Sequence, residues 1–139
     1  MRRSALIALG LAAVAGCGGS SEPRKNFPRP APPITLTAAV QDDVVRVSPA
    51  AVGAGQVVLV VSNQSGKPQK VTFETDELGG TRGGTTASSP IIPAGSTGRL
   101  KIVVRQGNYS VHVADDSIRA ARIKVGPPRK SGQDDLLLP

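Results

Sequence analysis

The sequence predicts an all-β domain, a sandwich of about seven short antiparallel strands in two sheets, and three observations carry that prediction. Apolar and polar residues alternate with period two in several separate runs. Clusters of Gly, Pro, Asn and Asp fall between those runs at regular intervals, and no amphipathic helix of useful length appears. The core must be aliphatic, because aromatic residues make up 2% of the chain and Trp is absent; the Val clusters that replace them favour strands. With 139 residues, 39% of them hydrophobic, the chain has room for one compact domain and its appendages.

The strands can be justified in order. Ile34, Leu36, Ala38 and Val40 share one face, and Thr35, Thr37 and Ala39 the other. Val45 and Val47 continue after an Asp42-Asp43 turn, and Ser48-Pro49 interrupts pairing. Gln56 to Ser62 is so rich in Val that burial on both faces is expected. After the turn Asn63-Gln64-Ser65-Gly66, Val71, Phe73 and Thr75 alternate with Lys70, Thr72 and Glu74. Residues 77–89 hold four glycines and little that is apolar, so a long surface loop is expected there. Pro93-Ala94-Gly95 leads into Leu100, Ile102 and Val104, which alternate with Lys101, Val103 and Arg105. The Gln106-Gly107-Asn108 turn precedes Tyr109, Val111 and Val113, and the final strand carries Ala121, Ile123 and Val125.

The amino terminus reads as an address. Arg2 and Arg3 precede an apolar stretch from Ala5 to Ala15, followed by small residues, which is the design of an export signal. Eleven apolar residues are too few for a bilayer span, which needs about twenty. Val14-Ala15-Gly16-Cys17 then resembles the lipobox of bacterial lipoproteins. That resemblance implies that residues 1–16 are a cleaved signal peptide and that Cys17 receives a diacylglyceryl group as the first residue of the mature chain. Further acylation would hold it stably on the extracytoplasmic face of the cell membrane. A plain secretory signal with a free Cys17 is the alternative, and the Arg2-Arg3 pair leaves the general and twin-arginine routes both open. Cys17 is the chain's one cysteine, so the domain is expected to be stable without an internal disulfide.

Residues 17–33 contain Gly, Ser, Pro and charge, with Phe27 as the one large apolar side chain, and are expected to form a tether. Sixteen extended residues at about 3.1 Å each would reach roughly 50 Å from the lipid. Residues 34–126 are expected to form the sandwich, and 127–139 a polar tail ending in Leu136-Leu137-Leu138-Pro139.

Taken together, Val47-Ser48-Pro49, Ala54-Gly55-Gln56, Val60-Val61-Ser62-Asn63, Ile92-Pro93-Ala94-Gly95 and Gly107-Asn108-Tyr109 resemble the framework of small cupredoxins, the plastocyanin-like β-sandwiches. An immunoglobulin-like sandwich of other topology is the alternative fold. In copper-binding cupredoxins one His follows the Asn turn, and a Cys, a second His and often a Met lie around the strand after the Gly-x-Tyr turn. Here the chain offers Lys67, Pro68, Gln69 and Lys70 after Asn63, and Val113 where the thiolate is expected. A blue-copper site needs two imidazoles and a thiolate, whereas this chain has one His and a Cys assigned to lipid. The resemblance therefore implies the fold without its electron-transfer chemistry, and no metal or other cofactor is expected.

Candidate chemistry elsewhere is sparse. His112 alternates with Tyr109, Val111 and Val113 and is expected to face solvent. Asp42-Asp43, Asp115-Asp116 and Asp134-Asp135 are adjacent pairs, which diverge on a strand and so read as turn formers, with a weak calcium site at Asp115-Asp116 as the alternative. Asn63 and Asn108 match the N-glycosylation pattern but coincide with turns. No catalytic residue is expected, and the chain does not read as an enzyme.

Two segments stand out as possible contacts. The loop Gly79, Gly80, Thr81, Arg82, Gly83 and Gly84 offers backbone amides, hydroxyls and a guanidinium, and the tail offers Leu136, Leu137 and Leu138. The formal charge of +7 includes Arg2 and Arg3, and the other basic residues are scattered without stacking aromatics, which argues against nucleic acid as a partner. Membrane lipid through Cys17, and an envelope protein or cell-wall polymer through the domain, are the partners expected. The leading functional reading is a metal-free, membrane-anchored binding or assembly module. A structural spacer on the cell surface is the alternative, and a metal carrier would require a partner to supply ligands.

Overall fold

The computed structural model describes residues 29–76 and 83–132. It contains eight strands and no helix: β1 (Ile34–Val40), β2 (Val45–Ser48), β3 (Ala51–Asn63), β4 (Val71–Thr75), β5 (Thr86–Ser88), β6 (Thr97–Val104), β7 (Gly107–Val113) and β8 (Ala121–Pro128). Hydrogen bonding runs β2-β1-β3-β8-β7-β4-β5, with β6 added to β3. The long strand β3 belongs to both layers. Its first residues, Ala51–Gly53, pair parallel with β8, and its remainder pairs parallel with β1 and antiparallel with β6. The crossing occurs at Gly53-Ala54-Gly55, where the register with β8 shifts and Gly55 takes φ +136°, a conformation that suits a residue without Cβ.

The expected all-β sandwich thus forms, with four differences of detail. Two of the pairings are parallel, because β1 and β8 both align with β3; alternation within a strand cannot distinguish the direction of its neighbour. An eighth strand, β5, lies within the segment expected to be wholly loop, and pairs Thr72, Phe73 and Glu74 with Ser88, Ala87 and Thr86. The strand β3 is buried on one face: Val57, Leu59 and Val61 are in the core, while Val58 and Val60 are half-buried on the other side. Among the described residues no further strand layer lies over that second face, where the Val residues suit strand geometry. The strand β8 continues to Pro128, two residues beyond the position where the tail was drawn.

The core draws on both layers. Leu36, Leu59, Val61, Val71, Phe73, Val111, Ile123 and Val125 are among its most completely enclosed side chains, and Phe73 meets Tyr109 with ring centroids 5.5 Å apart. Burying Phe73 in such surroundings is worth several kcal/mol, roughly 3–5 by the cost of truncation to Ala. The Tyr109 hydroxyl accepts from the Arg105 backbone N–H at 2.9 Å, so this buried ring also fixes the turn before its own strand.

Strand directions give the sandwich two distinct ends. At one end lie the connections 41–44, 64–70, 89–96 and 114–120, here called the loop end. At the other, the tether end, β1 begins and β8 finishes, and the connection 76–85 joins the body there.

Candidate functional site

The loop end is held by Asn63. Its side chain is fully buried and makes four hydrogen bonds: the amide donates to the Lys67 carbonyl (2.8 Å) and the Ile92 carbonyl (2.9 Å), and Oδ1 accepts from Ser65 N–H (3.1 Å) and Ser65 Oγ (2.7 Å). One residue thereby ties β3, the 64–70 turn and the 89–96 connection. Gln69 and Ile92 exchange backbone hydrogen bonds beside it, and Gly66 N–H donates to Asp42 Oδ1 at 3.0 Å. Val113, at the end of β7, and Ile118, in the 114–120 connection, are also buried. Around this closed end Ile91 is exposed, at 69%.

The carboxylate pairs Asp42-Asp43 and Asp115-Asp116 lie in turns, whereas Asp134-Asp135 lies outside the described residues. Asp115 Oδ1 accepts from Ser117 N–H and from Ser117 Oγ (2.6 Å), and these bonds, the hydroxyl's first, hold its carboxyl below the usual carboxylate range. Asp43 lies 4.0 Å from Arg119, and backbone bonds from Val45 N–H to the Arg119 carbonyl and from Arg119 N–H to the Asp43 carbonyl attach this connection to β2. Asn63, one of the two glycosylation-pattern positions, has its amide fully engaged indoors and cannot accept a glycan without opening the end.

His112 projects from the outer face of the β4–β7 pair, as alternation predicts. It is half-buried rather than free, because its Nε2 lies 3.0 Å from Glu74 Oε1 on the neighbouring strand. That partner is out of direct register with it: Glu74 pairs with Ser110 and His112 with Thr72, so strand alternation alone does not announce the contact. Among the described residues, no group of three or more His, Cys, Asp or Glu side chains could hold a metal ion.

The tether end is organised by Arg129, which sequence reasoning assigned to a polar tail. Its guanidinium donates to three backbone carbonyls: Nε to Ala54 (3.3 Å), one terminal nitrogen to Pro32 (2.6 Å) and the other to Gln56 (2.8 Å). A Cβ at Gly53 would lie 2.5 Å from Arg129 Cγ, and one at Gly55 2.8 Å from its terminal nitrogen. The two glycines around Ala54 are the space into which the side chain folds. The Gly-x-Gly spacing in the sequence was the available sign of such a close approach.

Of the proposed contact loop, Gly83 and Gly84 are described, both exposed; Gly79, Gly80, Thr81 and Arg82 lie outside the described residues. So do Leu136, Leu137 and Leu138, Cys17, the signal segment and the tether as far as residue 28. Beside Arg129, Pro33, Gln56, Val57, Val58, Lys101, Ile102 and Val103 enclose an open groove of about 310 Å³. No helix among the described residues is long and apolar enough to cross a membrane.

No protein-family model matches the chain, and no curated protein is significantly similar in sequence. Among solved structures, auracyanin A, a "blue" copper protein from the green thermophilic photosynthetic bacterium Chloroflexus aurantiacus, aligns over 68% of this chain and 100% of its own, with a TM-score of 0.53 and 13% identity. The fold is cupredoxin-like. A reduced Cu(I) form of an amicyanin variant aligns over 66% of this chain and 82% of its own, with a TM-score of 0.46 and 15% identity. At 13% identity the cupredoxin-like architecture is what the chain shares with auracyanin A.

Proposed function

We propose that the protein is a membrane-anchored extracytoplasmic lipoprotein whose cupredoxin-like module works without a metal, as a binding or assembly partner in the cell envelope rather than as an enzyme. The observation that carries this reading is the closed loop end. The positions after Asn63 and Tyr109, where a copper-binding cupredoxin keeps its ligands, hold Lys67, Pro68, Gln69 and Lys70 and a buried Val113, and the interior there is occupied by the Asn63 hydrogen-bond cluster. The sequence's one imidazole, His112, is turned to the outer face of a sheet and paired with Glu74. Its one thiol, Cys17, sits in the lipobox-like segment, where it takes lipid.

The geometry of the two ends supports a partner at or near the membrane. The tether, the 76–85 connection and the tail all join the body at the same end, opposite the closed loop end. In-cell crosslinking of the full-length protein, with Cys17→Ser as the untethered control, tests the reading. A recurrent envelope partner lost in the control is expected; capture of no partner would leave a structural spacer as the better account.

A further inference from the structure

We propose that the carboxy-terminal segment Leu136-Leu137-Leu138 docks on its own domain, in the groove on the outer face of β3 and β6, with Asp134 and Asp135 placed against the basic row of β6. This goes beyond the binding-module reading and does not depend on it.

The groove is a surface that lacks a cover. In register, Gln56 opposes Val103 and Val58 opposes Lys101, so these four side chains share the face turned away from the core, with Pro33 as a wall. Val103 is 59% exposed, one of two large hydrophobic residues so exposed among those described. Among the described residues the sheet ends at β6, which pairs with β3 and with no other strand. An apolar strip on an edge strand is a site that proteins ordinarily cover or charge. The lining is chiefly aliphatic, with Gln56 and Lys101 as its polar side chains, which suits an aliphatic segment flanked by charge.

Reach and charge then select the occupant. Arg129, the first residue past β8, bonds the carbonyls of Pro32 and Gln56, the latter a groove residue and the former next to one. The chain is still close to that place at Ser131 and Gly132, which line a cleft with Pro30 and Pro32. Four further residues lead to Leu136, a span of up to about 14 Å when extended. On β6, Lys101 and Arg99 are exposed, as is Arg105 just after it, and none of the three has a salt-bridge partner among the described residues. Asp134 and Asp135 stand immediately before the leucines, so seating the apolar segment brings two carboxylates to a strand edge bearing three cations. The segment carries both chemistries that the groove calls for, in the order that its exit point requires.

The test is disulfide capture in the full chain carrying Cys17→Ser, with Val103→Cys and Leu137→Cys as the added pair. Ser88→Cys with Leu137→Cys, on the other sheet, is the control. Under mild oxidation the first pair should close within one molecule at least ten times faster than the second, and Asp134→Asn with Asp135→Asn should slow it severalfold. Deleting residues 133–139 should speed amide hydrogen exchange in β6. Equal capture rates, with exchange unchanged by the deletion, would overturn the proposal. Dimers joined through Val103→Cys would assign the groove to a second copy, and β6 protection appearing only with phosphatidylglycerol vesicles would assign it to lipid; either result would also overturn it.

Discussion

The two ends of the sandwich are closed by opposite chemistries. At the loop end a neutral amide, Asn63, is fully buried and satisfied by four short bonds within the body. At the tether end a cation, Arg129, lies partly in solvent across three carbonyls, over glycines that leave room for it. A buried amide can be enclosed without the desolvation cost of a charge, whereas a guanidinium needs solvent on one side. The difference suits their tasks. The loop end is a sealed terminus, and the tether end is a clamp across three separate chain segments, two of which lead out of the domain.

Breaking each clamp separates those roles. Asn63→Ala removes four hydrogen bonds, strands the buried Ser65 N–H and leaves the Lys67 and Ile92 carbonyls with one donor each, from Ser65 Oγ and Gln69 N–H, and should cost on the order of 3 kcal/mol in urea unfolding. Arg129→Ala should cost less, about 1–2 kcal/mol, because water can replace the lost donors at a half-exposed site. Its larger consequence is local: hydrogen exchange should quicken at 51–56 and 127–132 and stay unchanged at the loop end. Equal global losses from the two substitutions would break the contrast.

The smallest effect belongs to Asp115. Its carboxyl is held below the usual range by Ser117, so the ionised form favours the folded state. That contribution is present above the unfolded carboxylate value, about 3.9, and fades as pH falls through the lower folded value. Asp115→Ala should therefore lower the melting temperature slightly at pH 7, with the gap closing as the medium becomes strongly acidic. A gap that widens in acid would contradict the assignment.

The sequence made much of the fold legible because its information is local. Alternation at 34–40, 71–75, 97–104 and 107–113 named the inward side chains correctly, and the turn residues named the breaks. The parallel alignment of β1 and β8 on β3 was not readable, because it depends on which strands meet rather than on any one strand's pattern. The half-exposed face of β3 misled for a related reason: Val58 and Val60 look like core, and only the missing layer reveals otherwise. At the candidate site, the absence of a second imidazole could be counted from the chain, but the Arg129 clamp could not. An Arg in a polar tail is ordinary until the glycines at 53 and 55 are seen to face it. The pairing of Glu74 with His112 likewise rests on a diagonal contact between strands.

The central claim is that a cupredoxin-like fold is used here without its metal. Copper titration of the purified Cys17→Ser full chain tests it most directly, following visible absorbance and metal retained after desalting. The account predicts no intense thiolate-to-copper band and no stoichiometric retention of the metal. Tight binding of one copper per chain, abolished by His112→Ala or Gln69→Ala, would contradict it.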